Sequence, residues 1–151
     1  MAGNVYLWET TAANNDDADG DVNWSEGQLP GTINSSARGM MAAVAGWLKD
    51  INGTLATGGS SSAYTVTSNT AYPALATGIM LGVKANHSST GTSTLTLNAL
   101  TTKYIIKCTQ ATAELHIVAN NMKATGNYML RYDADALGAA GAWILLNPTI
   151  E

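Results

Sequence analysis

Residues 23–30 (NWSEGQLP) run almost directly into residues 33–42 (INSSARGMMA), and this junction decides how the chain is organised. The first stretch is rich in Gly, Pro and short polar side chains, which predicts a loop. The second stretch begins a segment in which apolar residues recur with helical spacing. The junction therefore predicts a polar loop that opens into an amphipathic helix, and nothing in either stretch suggests catalysis.

The helix predicted over residues 34–51 is the one that the sequence indicates most clearly. Asn34 or Ser35 can cap its first turn, and Asn52-Gly53 predicts a left-handed cap at its end. An apolar stripe, widened by Met40 and Trp47, consists of Met41, Val44, Leu48 and Ile51. The small residues of a second flank are Gly39, Ala42, Ala43 and Gly46. Glycines in a helix are unfavourable, so this flank predicts the close approach of another backbone.

Three regions divide the chain. Residues 1–52 form an N-terminal anchoring region, an extended irregular arm followed by the helix, with one short strand predicted at Val5–Trp8. Such long irregular segments are usually functional or ordered by a partner. Residues 53–62 are rich in Gly and Ser and predict a flexible linker. Residues 63–151 form the third region, a β domain.

The β domain is predicted from alternating apolar and polar residues with turn residues between the runs. The seven predicted strands are Ala63–Ser68, Ile79–Ala85, Ser93–Asn98, Lys103–Cys108, Glu114–Ala119, Tyr128–Tyr132 and Ala142–Leu146. The fold class is therefore mainly β, with a small antiparallel β-sandwich or barrel-like domain. Because so small a domain must protect its sheet edges, oligomerisation is expected.

Composition and charge narrow the range of partners. Only 12% of the residues are charged, which suggests that much of the surface faces other protein. The net charge is −4 and the few basic residues are scattered, so we expect no nucleic-acid binding. No apolar run approaches the roughly 20 residues of a membrane span, so none is expected.

Residues 15–26 approach the pattern of a twelve-residue calcium loop. The side chains that would supply its ligands are Asn15, Asp17, Asp19, Asp21 and Glu26. The pattern departs from the usual one in having Asn at its first position and no predicted flanking helices. The alternative is a turn-rich loop whose Asp and Asn side chains bond their own backbone. Calcium is the one metal or cofactor that the sequence suggests, and the main expectation is that none is bound.

No group of residues predicts catalysis. His87 and His116 lack ligand spacing with Cys108 or with an acidic pair. The chain has no G-x-S-x-G nucleophile motif and no pair of carboxylates in an apolar setting. The sequence therefore predicts a protein that is not an enzyme.

The arrangement resembles the virion-anchoring region and small β-modules of tailed-bacteriophage tail-fibre proteins. That family has a leading Trp, an N-W-x-E-G-Q-x-P loop and a V/I-N-x-S-A-R-x-M-M helix. Those places are filled here by Trp8, Asn23-Trp24, Glu26-Gly27-Gln28, Pro30, Ile33-Asn34, Ser36-Ala37-Arg38 and Met40-Met41. The β part is similar at Ala63-Tyr64-Thr65, Gly78-Ile79, Thr94–Asn98, Tyr128-x-Leu130-x-Tyr132-Asp133 and Trp143-x-Leu145-Leu146-Asn147-Pro148.

This resemblance implies a structural virion protein made in the host bacterial cytoplasm and built into the phage tail. It would be a homotrimeric tail-fibre-like, adaptor or collar subunit that anchors to other tail, collar or fibre proteins and supports host attachment. Because the chain ends soon after Asn147-Pro148, where the family usually continues into a shaft, an adaptor, a collar or short-fibre protein, or an anchoring subunit is expected.

Within this picture, Trp24, Glu26 and Gln28 fix the loop, and Arg38 pairs with Glu26 or with a partner's carboxylate. The residues expected to contact neighbouring subunits or the tail are Trp8, Met41, Val44, Trp47, Leu48 and Ile51. Three alternatives stay open. The helix stripe covers a sheet of its own β domain, the β domain is a glycan- or receptor-binding module, or the 15–26 loop drives calcium-dependent assembly.

Overall fold

The structure, a computed structural model, describes residues 4–109 and 113–149. The chain forms two compact units. The first runs as far as Leu48 and includes Asn69–Ala71, while the second comprises Lys49–Ser68 and the chain from Tyr72 onward. Within the described residues one long helix and nine strands are present, so the prediction of a mainly β fold is confirmed.

The first unit begins with short turns. Two 3-10 turns, Val5–Leu7 and Ala12–Asn14, precede the loop. The Asn4 side chain caps the first of them, since its Oδ1 accepts a hydrogen bond from the Tyr6 N–H at 3.0 Å. This local bond satisfies the backbone without a strand partner. The strand predicted at Val5–Trp8 is therefore wrong.

The long helix, α1, spans Pro30–Ile51 and begins one turn earlier than predicted. Proline suits the first helical position because its φ is already helical and the N–H that it lacks would have no partner there. Asn34 and Ser35 lie inside the helix, so their predicted capping role is wrong. The predicted end is confirmed, since Gly53 has a φ of +84°.

Nine strands form the β structure of the second unit. They are β1 (Leu55–Ala56), β2 (Gly58–Gly59), β3 (Ala63–Val66), β4 (Met80–Lys84), β5 (Ser93–Leu97), β6 (Lys103–Thr109), β7 (Ala113–His116), β8 (Asn127–Asp133) and β9 (Ala142–Leu145). The seven predicted strands correspond to β3–β9. The two further strands, β1 and β2, lie within residues 53–62, where the sequence predicts a linker. A four-residue helical turn, Ala136–Ala139, has positive φ at Leu137 and Gly138.

The strands join into one sheet in the order β1-β4-β8-β9-β6-β5-β3-β2, with β7 beside β6. Five neighbouring pairs are antiparallel, but β1 and β4, β3 and β5, and β6 and β9 are parallel. The sheet is therefore mixed, and the prediction of an antiparallel domain is wrong on this point. Parallel pairs arise because the chain crosses over before it returns to a neighbouring position.

The sheet is nearly closed into a barrel. Its two end strands, β1 and β2, are separated in sequence by Thr57 alone, which joins the ends of the strand order. Thr57 is buried, and its N–H donates to the Lys84 carbonyl at 3.0 Å. Its Oγ1 lies 2.7 Å from Asn86 Oδ1 and accepts from the Asn86 N–H at 3.0 Å. The predicted barrel-like character is confirmed.

The barrel core is aromatic and aliphatic. Trp143 in β9 is fully buried, and its ring meets that of Tyr132 edge-on with the ring centres 5.3 Å apart. Leu95 and Leu97 in β5 are also fully buried, while Thr94 and Thr96, which alternate with them, are half-buried. This alternation is the one that the sequence predicts for a strand with one face in the core.

Candidate functional site

The first unit contains a carboxylate with several hydrogen-bond donors around it. Asp19 is 7% exposed, and its Oδ2 accepts from the Trp8 indole Nε1 at 2.6 Å and from the Asn4 N–H at 3.1 Å. Its Oδ1 accepts from the Asp21 N–H at 3.0 Å. Burial acts to raise the pKa of Asp19, but these hydrogen bonds outweigh it and lower the pKa below its usual range. Asp19 is thus an ionised anchor that orients Trp8.

The predicted calcium loop is held by hydrogen bonds of its own side chains. Asn15 Oδ1 accepts from the Glu9 N–H at 2.8 Å, and Asn15 Nδ2 donates to the Glu9 carbonyl at 2.7 Å. Across residues 4–109 and 113–149, no three His, Cys, Asp or Glu side chains are placed to hold a metal ion together. Calcium binding by Asn15, Asp17, Asp19, Asp21 and Glu26 stays a prediction that a calorimetric titration would test.

The loop before α1 is fastened to the helix at Ser36. The Ser36 Oγ accepts from the Asn23 N–H at 3.2 Å and donates to the Asn23 carbonyl at 2.9 Å. One turn further, a Cβ added to Gly39 would lie 2.7 Å from the Asp21 carbonyl oxygen. Only a residue without a side chain fits here, so the loop backbone can lie directly on the helix.

The small-residue flank of α1 continues from Gly39 to Ala43 and Gly46. Ala43 is buried, and a Cβ added to Gly46 would lie 3.5 Å from the Asn69 Cβ. Asn69 belongs to the short segment that joins the first unit from further along the chain. The predicted close approach of other backbone to this flank is confirmed at Gly39.

Two indoles border a cavity in the first unit. Trp24, at 39% exposure, directs its Nε1 to the Met40 Sδ at 3.1 Å. A cavity of about 210 Å³ lies beside it, with Trp8, Glu9 and Val22 also among its lining residues. Trp24 of the loop motif and Met40 of the helix motif are therefore in direct contact.

The apolar stripe of α1 is exposed. The exposed fractions are 72% for Met41, 46% for Val44, 44% for Trp47 and 54% for Leu48. Ile51, at the end of the stripe, is half-buried. That this stripe covers a sheet of the β domain stays an alternative prediction. The large apolar side chains of this stripe are thus exposed, whereas Ala43 on the small-residue flank is buried.

The polar residues of the predicted anchoring set lie at the loop and in the first turns of α1. The Gln28 Oε1 accepts a hydrogen bond from the Thr32 Oγ1 at 3.0 Å, which ties the loop to the first turn. Glu26 and Arg38 are exposed, and among the described residues they do not form the predicted ion pair with each other. Pairing of Arg38 with a partner's carboxylate stays a prediction.

Two exposed apolar residues are not among the contact residues that the sequence predicts. Leu29, which directly precedes α1, is 73% exposed, and Ile33, in the first turn of the helix, is 45% exposed. A helix expected to begin at residue 34 leaves them in the loop. The signal that would have included them is the proline at position 30, which marks the start of a helix.

In comparisons with protein-family models and with curated proteins, nothing matches this chain. Among the residues that the structure describes, no helix has both the length and the apolar character needed to cross a membrane.

Proposed function

We propose that this chain is a structural protein that assembles with two further copies of itself through the outward side of α1. This helix face consists of Ile33, Met41, Val44, Trp47 and Leu48, continued by Leu29 directly before the helix, and all six are exposed. A surface helix normally turns its large apolar residues toward its own core. The reverse orientation in α1 is the observation that carries the proposal, because contiguous exposed apolar residues mark interaction surfaces.

The spacing along α1 favours helix-to-helix packing. Apolar positions succeed each other at intervals of four, three, four, three and four residues: Ile33, Ala37, Met40, Val44, Trp47 and Ile51. A second row with intervals of four, three, four and three runs beside it: Ala37, Met41, Val44, Leu48 and Ile51. Alternating intervals of three and four residues are the heptad pattern of coiled coils.

Two apolar rows on one helix favour an assembly of three helices over an assembly of two. With about 100° of rotation per residue, the residues from Trp47 to Met41 cover an arc of about 120°. A helix in a two-stranded coil presents one narrow seam to one partner. A helix in a three-stranded bundle contacts two neighbours, so a broad face can be covered on both sides. Burying Met41, Val44 and Leu48 in this way would contribute about 1.5–3 kcal/mol for each side chain.

The virion role is proposed from the resemblance of the motif. Its residues make specific contacts: Trp24 lies against Met40, and Ser36 holds the backbone of Asn23. These contacts support the idea that the loop and helix act as one anchoring element. We therefore infer a tail-fibre-like, adaptor or collar subunit, a role that requires no catalytic residue.

Light scattering coupled to size-exclusion chromatography tests the assembly. One chain has a mass of 15.7 kDa, so three copies would give about 47 kDa. A mass near three chains supports the proposal. A mass of one chain at every concentration at which the protein stays soluble would contradict it.

A further inference from the structure

The cavity beside the two indoles, here called the indole pocket, combines apolar walls with one acidic residue. Trp8, Val22, Trp24 and Met40 provide most of its apolar lining, and Glu9 is the acidic residue among its lining residues. A volume of about 210 Å³ suits a single side chain rather than a folded element. The pocket lies wholly within the first unit, since all of these residues precede Leu48.

The polar atoms of both indoles are already engaged. The Nε1 of Trp8 donates to Asp19 at 2.6 Å, and the Nε1 of Trp24 is 3.1 Å from the Met40 sulfur. An occupant therefore meets ring surface rather than free donors on these two residues. The Glu9 backbone is fixed through two hydrogen bonds to Asn15. Among the described residues, no hydrogen bond or ion pair engages the Glu9 carboxylate itself.

Charge is unevenly divided between the two units. The first unit holds six carboxylates and one basic residue, Arg38, so its formal net charge is −5. The carboxylates are those of Glu9, Asp16, Asp17, Asp19, Asp21 and Glu26. The whole chain carries −4, so the second unit is close to neutral. A concentration of one charge sign attracts a partner segment of the opposite sign.

We propose that the indole pocket receives a lysine or arginine side chain from a basic segment of a different protein. The methylene stem would pack on the ring surfaces. The cationic head would be attracted by the indole faces and by the Glu9 carboxylate. The acidic surroundings add long-range attraction for further basic residues of the same segment. Met40 belongs both to this pocket and to one apolar row of α1, but the other pocket residues lie outside the helix, so the contact does not depend on self-association.

Indole N–H signals in nuclear magnetic resonance test the proposal on the full chain. The probes are Nα-acetyl-lysine N-methylamide and its neutral counterpart, Nα-acetyl-norleucine N-methylamide. We expect the lysine probe to shift the signals of Trp8 and Trp24 in a saturable way, at least about fivefold more tightly than the norleucine probe. The signals of Trp47, on the helix face, and Trp143, in the barrel core, should not move.

Two variants that each remove one negative charge test whether lysine binding depends on the pocket. Glu9→Gln removes the carboxylate of the pocket, whereas Glu26→Gln removes an equal charge from a residue that does not line it. We expect Glu9→Gln to weaken lysine binding by about fivefold or more and Glu26→Gln by less than about twofold. An unchanged Trp143 signal in each variant confirms that the barrel is intact.

Several results would overturn the proposal. Equal affinity for both probes would show an apolar pocket without selectivity for a cation. Equal effects of the two variants would show attraction by net charge alone, and an absence of shifts with either probe would show no binding. Repeating the titration on Val44→Asp separates this proposal from self-association, since a single-chain variant should still bind the lysine probe.

Discussion

The Trp8 indole nitrogen donates a hydrogen bond of 2.6 Å to the Asp19 carboxylate, eleven residues further along the chain. The same carboxylate accepts the backbone N–H groups of Asn4 and Asp21. The buried Asp19 carboxylate therefore holds three separate parts of the arm together: Asn4, Trp8 and Asp21. Asp19, whose spacing suggested a calcium ligand, thus accepts hydrogen bonds from three N–H donors of the protein.

Replacing this carboxylate by an amide should loosen the arm. Asp19→Asn keeps the size of the side chain but removes its charge and one of its two acceptor oxygens. Because hydrogen bonds to charged acceptors are the stronger ones, we expect a loss of about 1–3 kcal/mol in the free energy of unfolding of the first unit. Urea unfolding followed by tryptophan fluorescence measures the loss. Stability equal to that of the unsubstituted protein would show that Asp19 does not anchor the arm.

The same carboxylate should make the arm sensitive to acid. The pKa of Asp19 is lower in the folded protein than in the unfolded chain, where aspartate titrates at about 3.9. Its stabilisation is therefore fully present above about pH 4 and is lost as the pH falls through the lower folded value. We expect the stability difference between the unsubstituted protein and Asp19→Asn to be constant from pH 7 to about pH 5 and to shrink below about pH 4. A difference that grew on acidification would contradict this assignment.

Replacing two glycines of α1 by alanine should change the free energy of unfolding in opposite directions. Gly39→Ala would place a methyl group 2.7 Å from the Asp21 carbonyl oxygen, so backbone must move. We expect a net loss of about 1–2 kcal/mol despite the better helix propensity of alanine. Gly46→Ala meets Asn69 at 3.5 Å, an ordinary contact, and should gain about 0.5–1 kcal/mol. Urea unfolding of both variants makes the comparison, and equal effects would contradict the close approach at Gly39.

Closure of the barrel can be tested at Thr57. Thr57→Val removes a buried hydroxyl that accepts from the Asn86 N–H and donates to the Asn86 Oδ1, so two hydrogen bonds are lost. We expect a loss of about 1–3 kcal/mol in the unfolding free energy of the second unit. The matched control is Thr67→Val at an exposed position, which should change stability by no more than about 0.5 kcal/mol. Thermal unfolding followed by circular dichroism in the far ultraviolet distinguishes the two.

Much of the fold was predictable because local patterns decide it. The alternation of Leu95 and Leu97 with threonines indicates a strand on sequence alone, and the strand is present. The end of α1 was predictable because Gly53 adopts a left-handed φ that other residues avoid. The predicted start of α1 lies four residues too late. Asn34 and Ser35 are typical capping residues and indicate a later start than Pro30 does.

The remaining features depend on partners that are distant in sequence. The parallel pairing of β3 with β5 and the closure through Thr57 follow from crossovers that no local pattern reveals. The strands β1 and β2 are only two residues long, and Gly58-Gly59 has the composition of a linker. Asp19 was recognised as a ligand type, but its partner Trp8 could be identified only once the arm had folded back on itself.

The central claim is that the helix face is buried between three copies of this chain, and a pair of aspartate variants tests it most directly. Val44 lies in the middle of the face, whereas Ala42 is exposed on another side of the same helix. Sedimentation equilibrium of the unsubstituted protein and of Ala42→Asp should give the mass of three chains, and Val44→Asp should give the mass of one. Three chains for Val44→Asp, or one chain for the unsubstituted protein, would contradict the account.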